Sequence, residues 1–206
     1  MRGQKALFVT FEGIEGSGKT TIARDCVDKL GSLGIDAVYV QDPGGCPVSE
    51  SIRNILLHTI EPIAPETELL LFCAARAQLV SSVIKPELES GKVVVSDRYI
   101  DSTVAYQGYG RGMDLSDISL LNDFACKSLV PEITILLDLP AETGLKRQLL
   151  VDRISEEHFA FHERVRCGFL ERAAENPDRF HVIDASQPLD IVRDAVWEIL
   201  SVFSER

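Results

Sequence analysis

The chain has 206 residues, 45% of them hydrophobic and 26% charged, a composition that suits one folded core and excludes a disordered or collagen-like chain. Its 21 basic and 32 acidic side chains give a formal charge of −11, so the surface as a whole repels nucleic acid, and a phosphate group must be met by a local basic pocket. Cys26, Cys46, Cys73, Cys126 and Cys167 are scattered and form no Cys-x-x-Cys pair, which argues against a disulfide framework or zinc site and for a reducing, cytoplasmic setting.

Ala6 to Phe11 reads as a buried parallel strand. It begins too early to follow a signal peptide, and no later apolar run is expected to span a membrane. A glycine-rich turn and a helix follow. Asp36 to Gln41 is a second strand, closed by the turn Asp42-Pro43-Gly44-Gly45. Glu66 to Val83 spaces Leu69, Leu70, Phe72, Cys73, Ala77 and Val80 as one face of a long helix. Lys92 to Ser96, Glu132 to Leu137 and Arg179 to Ile183 are three more strands separated by helical patterns. In the last helix Ser186 is the expected cap, and Val192, Ala195, Val196, Ile199 and Leu200 form its apolar stripe. The alternation predicts one α/β domain over residues 1–206, a parallel sheet covered by helices on both faces, with ligands at the carboxyl ends of the strands.

Gly13-Ile14-Glu15-Gly16-Ser17-Gly18-Lys19-Thr20 matches G-x-x-x-x-G-K-[ST] between a predicted strand and a predicted helix. Glycines let successive backbone N–H groups face a phosphate, and the positive end of the helix adds to the attraction. The loop therefore predicts an ATP site in which Lys19 bridges the β- and γ-phosphates and the Thr20 hydroxyl is a Mg²⁺ ligand. Val93 to Tyr99 places Asp97 and Arg98 at the carboxyl end of another strand, where the acid can orient magnesium waters and the guanidinium can clamp an acceptor phosphate. A GTPase switch would carry Asn-Lys-x-Asp, and none is present. His158 and His162 lie four apart on an expected helix without the glutamate of a zinc-binding His-Glu-x-x-His and read as a half-exposed structural pair. Glu156-Glu157 reads as an acidic helix N-terminus.

Several stretches together resemble the bacterial thymidylate kinases: FEGIEGSGKTT, DPGG followed by SESIR, LLLFCAARAQ, VVVSDRYIDSTVAYQGYGRG, LLDLPAETGLKR and DRISEEHFAFHERVRCGFLE. The resemblance implies a P-loop NTPase-type five-stranded parallel sheet with a small lid, here about residues 146–157, and transfer of the γ-phosphoryl of ATP to dTMP. It implies that Gly13 to Thr21 hold ATP with Arg147, that Phe72 stacks on the acceptor base, and that Arg76 donates to a base carbonyl. By the same likeness Ser102, Thr103, Tyr106 and Gln107 line base and sugar, Asp42, Arg53 and Arg98 face the acceptor and its phosphate, and Glu15 meets the sugar 3′-hydroxyl. The variable P-loop positions Ile14, Glu15, Gly16 and Ser17 hold no basic residue, so a transition-state arginine is expected from the lid, with Arg153 the favoured candidate and Arg147 the other. A homodimer is implied as well. The chain departs from the usual pattern at Gln41, Asp42 and Cys46, where Arg-Glu-Pro-Gly-Gly-Thr is common, at Ala75, and at Leu79-Val80.

Overall fold

The computed structural model describes residues 6–148 and 152–204. Strands β1 (Leu7–Glu12), β2 (Ala37–Gln41), β3 (Val93–Asp97), β4 (Ile133–Asp138) and β5 (Phe180–Asp184) form one five-stranded sheet in the order β2-β3-β1-β4-β5. Every pairing is parallel, as the alternation of apolar runs and helical patterns predicts. Four strands run one residue further than their apolar segments, because the ladder continues through a polar residue at the carboxyl edge: Glu12, Asp97, Asp138 and Asp184. Adjacent β1 and β3 send their chains in opposite directions, β1 outward to β2 and β3 across β1 to β4. A crevice therefore opens at their carboxyl ends, and the register brings Phe11 beside Asp97 at that mouth.

Alternate residues of β1 enter two cores, as a period of two requires. Val9 and Phe11 pack with Ile22 and Cys26 of α1 (Lys19–Ser32), with Val165 and Phe169 of α8 (Phe159–Glu175) and with Val192 and Val196 of α9 (Leu189–Ser204). Phe8 faces the other side, with Leu69 and Cys73 of α3 (Pro65–Leu79) and Ile118 of α6 (Leu115–Cys126). The apolar stripe expected in the last helix is thus buried, but Ser186 does not cap it. Its amide and hydroxyl both donate to Asp184 Oδ1, and the first helical bond is accepted by the Pro188 carbonyl. A nearer carboxylate wins the serine, and the fixed φ of Pro188 starts the helix later.

Helix α3 packs on α2 (Pro47–His58) and α6. It continues through a π-helical turn at Val80–Ile84 into α4 (Lys85–Glu89), a continuous helix of 25 residues. Pro86 lacks an N–H and its ring crowds the carbonyl four residues back, which the wider turn relieves. By length and composition this helix could cross a bilayer, contrary to the sequence expectation, yet it carries fully buried Glu68 and Arg76 into the protein interior. A short α5 (Ile100–Thr103) leads into a second π-helical segment, Val104–Gly110, packed against α8. Helix α7 (Ala141–Arg147) follows β4. Of the expected lid, residues 149–151 lie outside the described residues.

Candidate active site

The P-loop turns tightly enough to need glycine. Gly16 has φ 72°, and a Cβ there would fall 2.1 Å from the Gly144 carbonyl oxygen, while a Cβ on Gly144 would fall 2.4 Å from the Glu15 oxygen. The loop is thus seated against α7 backbone to backbone, and Gly18 at φ 91° opens α1. Buried Lys19 donates to the Ile14 carbonyl at 2.6 Å and lies 3.3 Å from Ser17 Oγ. Burial and the Arg98 charge push its ammonium down to about 8, against the pull of Asp97, Glu15 and Glu12.

At the end of β3, Asp97 Oδ2 accepts from Thr20 Oγ1 at 2.5 Å and from Tyr39 Oη at 3.3 Å. A hydroxyl and a carboxylate side by side below a phosphate-binding loop are the hard oxygen donors Mg²⁺ selects. The next residue, Arg98, has φ 72°, a left-handed conformation costly for a side chain of this size. It is held there by its amide bond to the Phe11 oxygen at 2.9 Å and by Ser96 Oγ donating to its carbonyl at 2.7 Å. The strained turn brings the guanidinium back over the P-loop: Nη1 donates to the Gly13 oxygen and Ser102 Oγ, and Nη2 to Glu15 Oε1 and Tyr106 Oη, all within 2.9–3.1 Å. Burial opposes its charge, but Tyr106, Glu15 and Asp97 hold it firmly protonated. For Glu15, too, burial alone would raise the carboxyl, yet Arg98, His162, Lys19 and Tyr106 hold it well below the usual range.

One cleft unites all ten acceptor residues expected from the sequence. Glu15, Asp42, Arg53, Phe72, Arg76, Arg98, Ser102, Thr103, Tyr106 and Gln107 all line it, together with Lys19, Thr20 and Asp97. Arg76 is buried and fixed on three sides, by Asp42 Oδ2 at 2.5 Å, Asn122 Oδ1 at 2.7 Å and the Tyr99 oxygen at 3.1 Å. Arg53 donates to the Pro43 carbonyl at 2.8 Å, and the Asp42–Pro43 bond is cis. Asp42 Oδ1 and Thr103 Oγ1 are buried without a hydrogen-bond partner, which marks the cleft as built for polar groups of a ligand. On the other side of the P-loop, Ser17, Gly18, Ile22, Arg147, Gln187 and Val192 line a second cleft. Arg147 there donates to the Ala185 oxygen at 2.9 Å. Thr21 is exposed on the first turn of α1 and lines neither cleft.

Arg153 is not brought to the P-loop. Its Nη2 donates to Glu68 Oε2 at 2.6 Å and its Nε to the Leu56 oxygen at 2.9 Å. Glu68 is a buried hub that also takes Gln107 Nε2 at 2.8 Å and Arg111 at 3.1–3.2 Å, so the carboxylate draws the lid arginine to itself. Glu156 and Glu157 lie just before the α8 N-cap His158 rather than within its first turn, and Glu157 pairs with Arg111. One more expectation is corrected here. His162 is only 1% exposed and faces Glu15, so it is not a half-exposed structural residue. Its signal was its position on the stripe with Val165 and Phe169, where an imidazole without a partner has no reason to be buried. Glu12 was missed because it follows the apolar run: fully buried, it accepts from the Tyr99 amide at 2.8 Å and Ser102 Oγ at 2.6 Å. Burial and neighbouring Asp101 push its carboxyl up to about 8.

The thymidylate kinase family model matches residues 11–196. Thymidylate kinase of Syntrophotalea carbinolica is 45% identical over 202 residues, covering 93% of this chain and 94% of the relative. That of Pseudomonas fluorescens strain SBW25 is 46% identical over 204 residues, covering 97% of each. In structure, the thymidylate kinase from Ehrlichia chaffeensis matches with a TM-score of 0.80 and 37% identity, over 95% of this chain and 99% of that one.

Proposed function

The chain belongs to the thymidylate kinase family, and its reaction is transfer of the γ-phosphoryl group of ATP to dTMP, giving dTDP and ADP for deoxythymidine nucleotide synthesis; we propose that the two clefts beside the P-loop are its acceptor and donor sites. The observation that carries this reading is the convergence of Lys19, the Thr20–Asp97 pair and the strained Arg98 on one mouth of the sheet. ATP lies with its phosphates in the P-loop from Gly13 to Thr21 and its nucleoside toward Arg147, with the N-terminus of α1 favouring the anion.

In the acceptor cleft, Phe72 offers a face for the thymine ring and Arg76, preorganised by Asp42 and Asn122, offers its remaining N–H groups to a base carbonyl. Arg98 and Arg53 meet the acceptor phosphate, and Glu15 and Tyr106 meet the sugar. Ser102, Thr103 and Gln107 complete the wall. A loose phosphoryl transition state needs alignment and charge neutralisation more than covalent help. Lys19 and Arg98 supply fixed positive charge on the two sides of the transferred group, in a cleft where burial strengthens both. Thr20 and Asp97 fit Mg²⁺, which when bound neutralises charge on the phosphate oxygens. Arg153, held by Glu68, fixes the stem of a lid at about residues 146–157 on a single domain.

A homodimer is proposed from the exposed apolar residues on adjoining α3 and α6: Leu70 at 55%, Leu120 at 71% and Phe124 at 85%. The formal charge of −11 disfavours a nucleic-acid or anionic membrane partner, and five free cysteines suit a reducing cytoplasm. Replacing Lys19 by alanine tests the donor assignment: turnover should fall by about 10³-fold or more with circular dichroism unchanged. Unaltered turnover would remove the P-loop from the reaction.

A further inference from the structure

Glu15 divides its carboxylate unequally. Oε1 receives Arg98 Nη2 at 2.9 Å and Tyr106 Oη at 2.6 Å, whereas buried Oε2 receives nothing. Facing Oε2 at 3.5 Å is Nδ1 of His162, and both ring nitrogens of this histidine are likewise buried without a partner. The surroundings give no apolar reason for an imidazole: Phe161, Val165 and Phe169 of the same helix pack as core, the two phenyl rings edge-on to Tyr106 at 6.1 Å. Two buried groups, one an acceptor and one able to donate, stand a few tenths of an ångström beyond hydrogen-bond distance, where a small rotation of the carboxylate joins them.

We infer that His162 is a positioning residue of the acceptor site, donating from Nδ1 to Glu15 Oε2 and so fixing the carboxylate that holds Arg98 and Tyr106 in the cleft. The inference rests on the reading above that Glu15 and Arg98 face the acceptor nucleotide. With donors on both oxygens the carboxylate cannot turn about its last torsion, and Oε1 stays directed to the guanidinium and phenol. Without His162 it turns, Arg98 and Tyr106 lose a fixed partner, and the acceptor loses a preformed site. The donor cleft, on the far side of the P-loop, does not depend on it.

The experiment is steady-state kinetics of His162→Phe, His162→Asn and Glu15→Ala, with ATP and dTMP varied separately and the melting temperature measured for each. His162→Phe should raise the KM for dTMP by about tenfold with the KM for ATP unchanged. His162→Asn, whose amide nitrogen stands where Nδ1 stood, should restore most of the loss. Wild-type kinetics in His162→Phe beside a raised dTMP KM in Glu15→Ala overturns the role of His162 alone. An unaltered dTMP KM in Glu15→Ala overturns the acceptor reading of Glu15 and the inference together. Equal losses for both substrates with no rescue by asparagine reduce His162 to a packing residue and overturn the inference.

Discussion

Replacing Glu12 by glutamine isolates a buried carboxyl group that the fold carries at the end of β1, bonded to the Tyr99 amide and Ser102. The side chain is fully buried, takes two hydrogen bonds, and sits beside Asp101, which is itself buried and bonded bidentately by Arg179 at 2.8 Å. Burial first, and Asp101 second, raise the carboxyl from 4.5 to about 8, which at ~1.4 kcal/mol per pH unit makes the ionised form costlier by on the order of 5 kcal/mol. The native state therefore keeps a proton that the unfolded chain releases. Stability from this group is complete below about pH 4.5, declines as the pH rises, and is gone above about pH 8. Glutamine keeps the shape, accepts from the Tyr99 amide through its carbonyl, and has no proton to lose. Urea unfolding of both proteins at pH 6, 7, 8 and 9 should show the wild type losing about 3 kcal/mol more than Glu12→Gln across that range, equivalent to about 6–12 °C in Tm for a chain of this size. Parallel stability curves would mean that Glu12 ionises as freely in the native state as in the unfolded one, and would refute the reasoning.

Phe72→Ala removes the aromatic face of the acceptor cleft and should raise the KM for dTMP by about 10- to 100-fold, the worth of a buried ring, with the KM for ATP nearly constant; equal losses for both substrates would contradict a stacking role. Arg153→Ala breaks the bonds to Glu68 and the Leu56 carbonyl and should destabilise the fold by about 1–3 kcal/mol while kcat falls less than about tenfold. A fall of about 10³ or more at unchanged Tm would instead put its guanidinium at the reacting phosphoryl group.

The sheet was legible because each strand is an apolar run bounded by turns, and β3, buried along its whole length, is the plainest case. The same signal cut the strands short, since reading apolar content stops at Phe11 and Ser96 while the ladder runs on to Glu12 and Asp97. The residues lost by that rule sit at the carboxyl edge, where the chemistry sits. Asp97 and Arg98 survived because a charged pair after an apolar strand is conspicuous. Glu12 did not, because the P-loop glycine next to it made it look like the first residue of a turn. Partners from distant segments were beyond sequence spacing altogether: Asn122 supporting Arg76, Tyr39 beside Asp97, and Glu68 drawing in Arg153 across 85 positions. The position of the expected lid arginine was hidden for this reason: it is bonded to Glu68 and the Leu56 carbonyl. The family likeness and a P-loop without a basic residue at its variable positions pointed it at the phosphate, while a buried carboxylate on α3 competes for the same guanidinium.

The central claim, that the cleft lined by Phe72, Arg76 and Arg98 takes a thymidine monophosphate beside a P-loop ATP site, is tested most directly by ADP release. The assay contains ATP, Mg²⁺ and, in turn, the monophosphates of thymidine, deoxyuridine, adenosine, guanosine, uridine and cytidine. The expected result is fastest release with dTMP, with deoxyuridine monophosphate poorer by about 10- to 200-fold, the worth of one methyl group in a fitted pocket, and purines inert. Release that is fastest with a purine monophosphate, or absent with every acceptor, would contradict the assignment of the cleft.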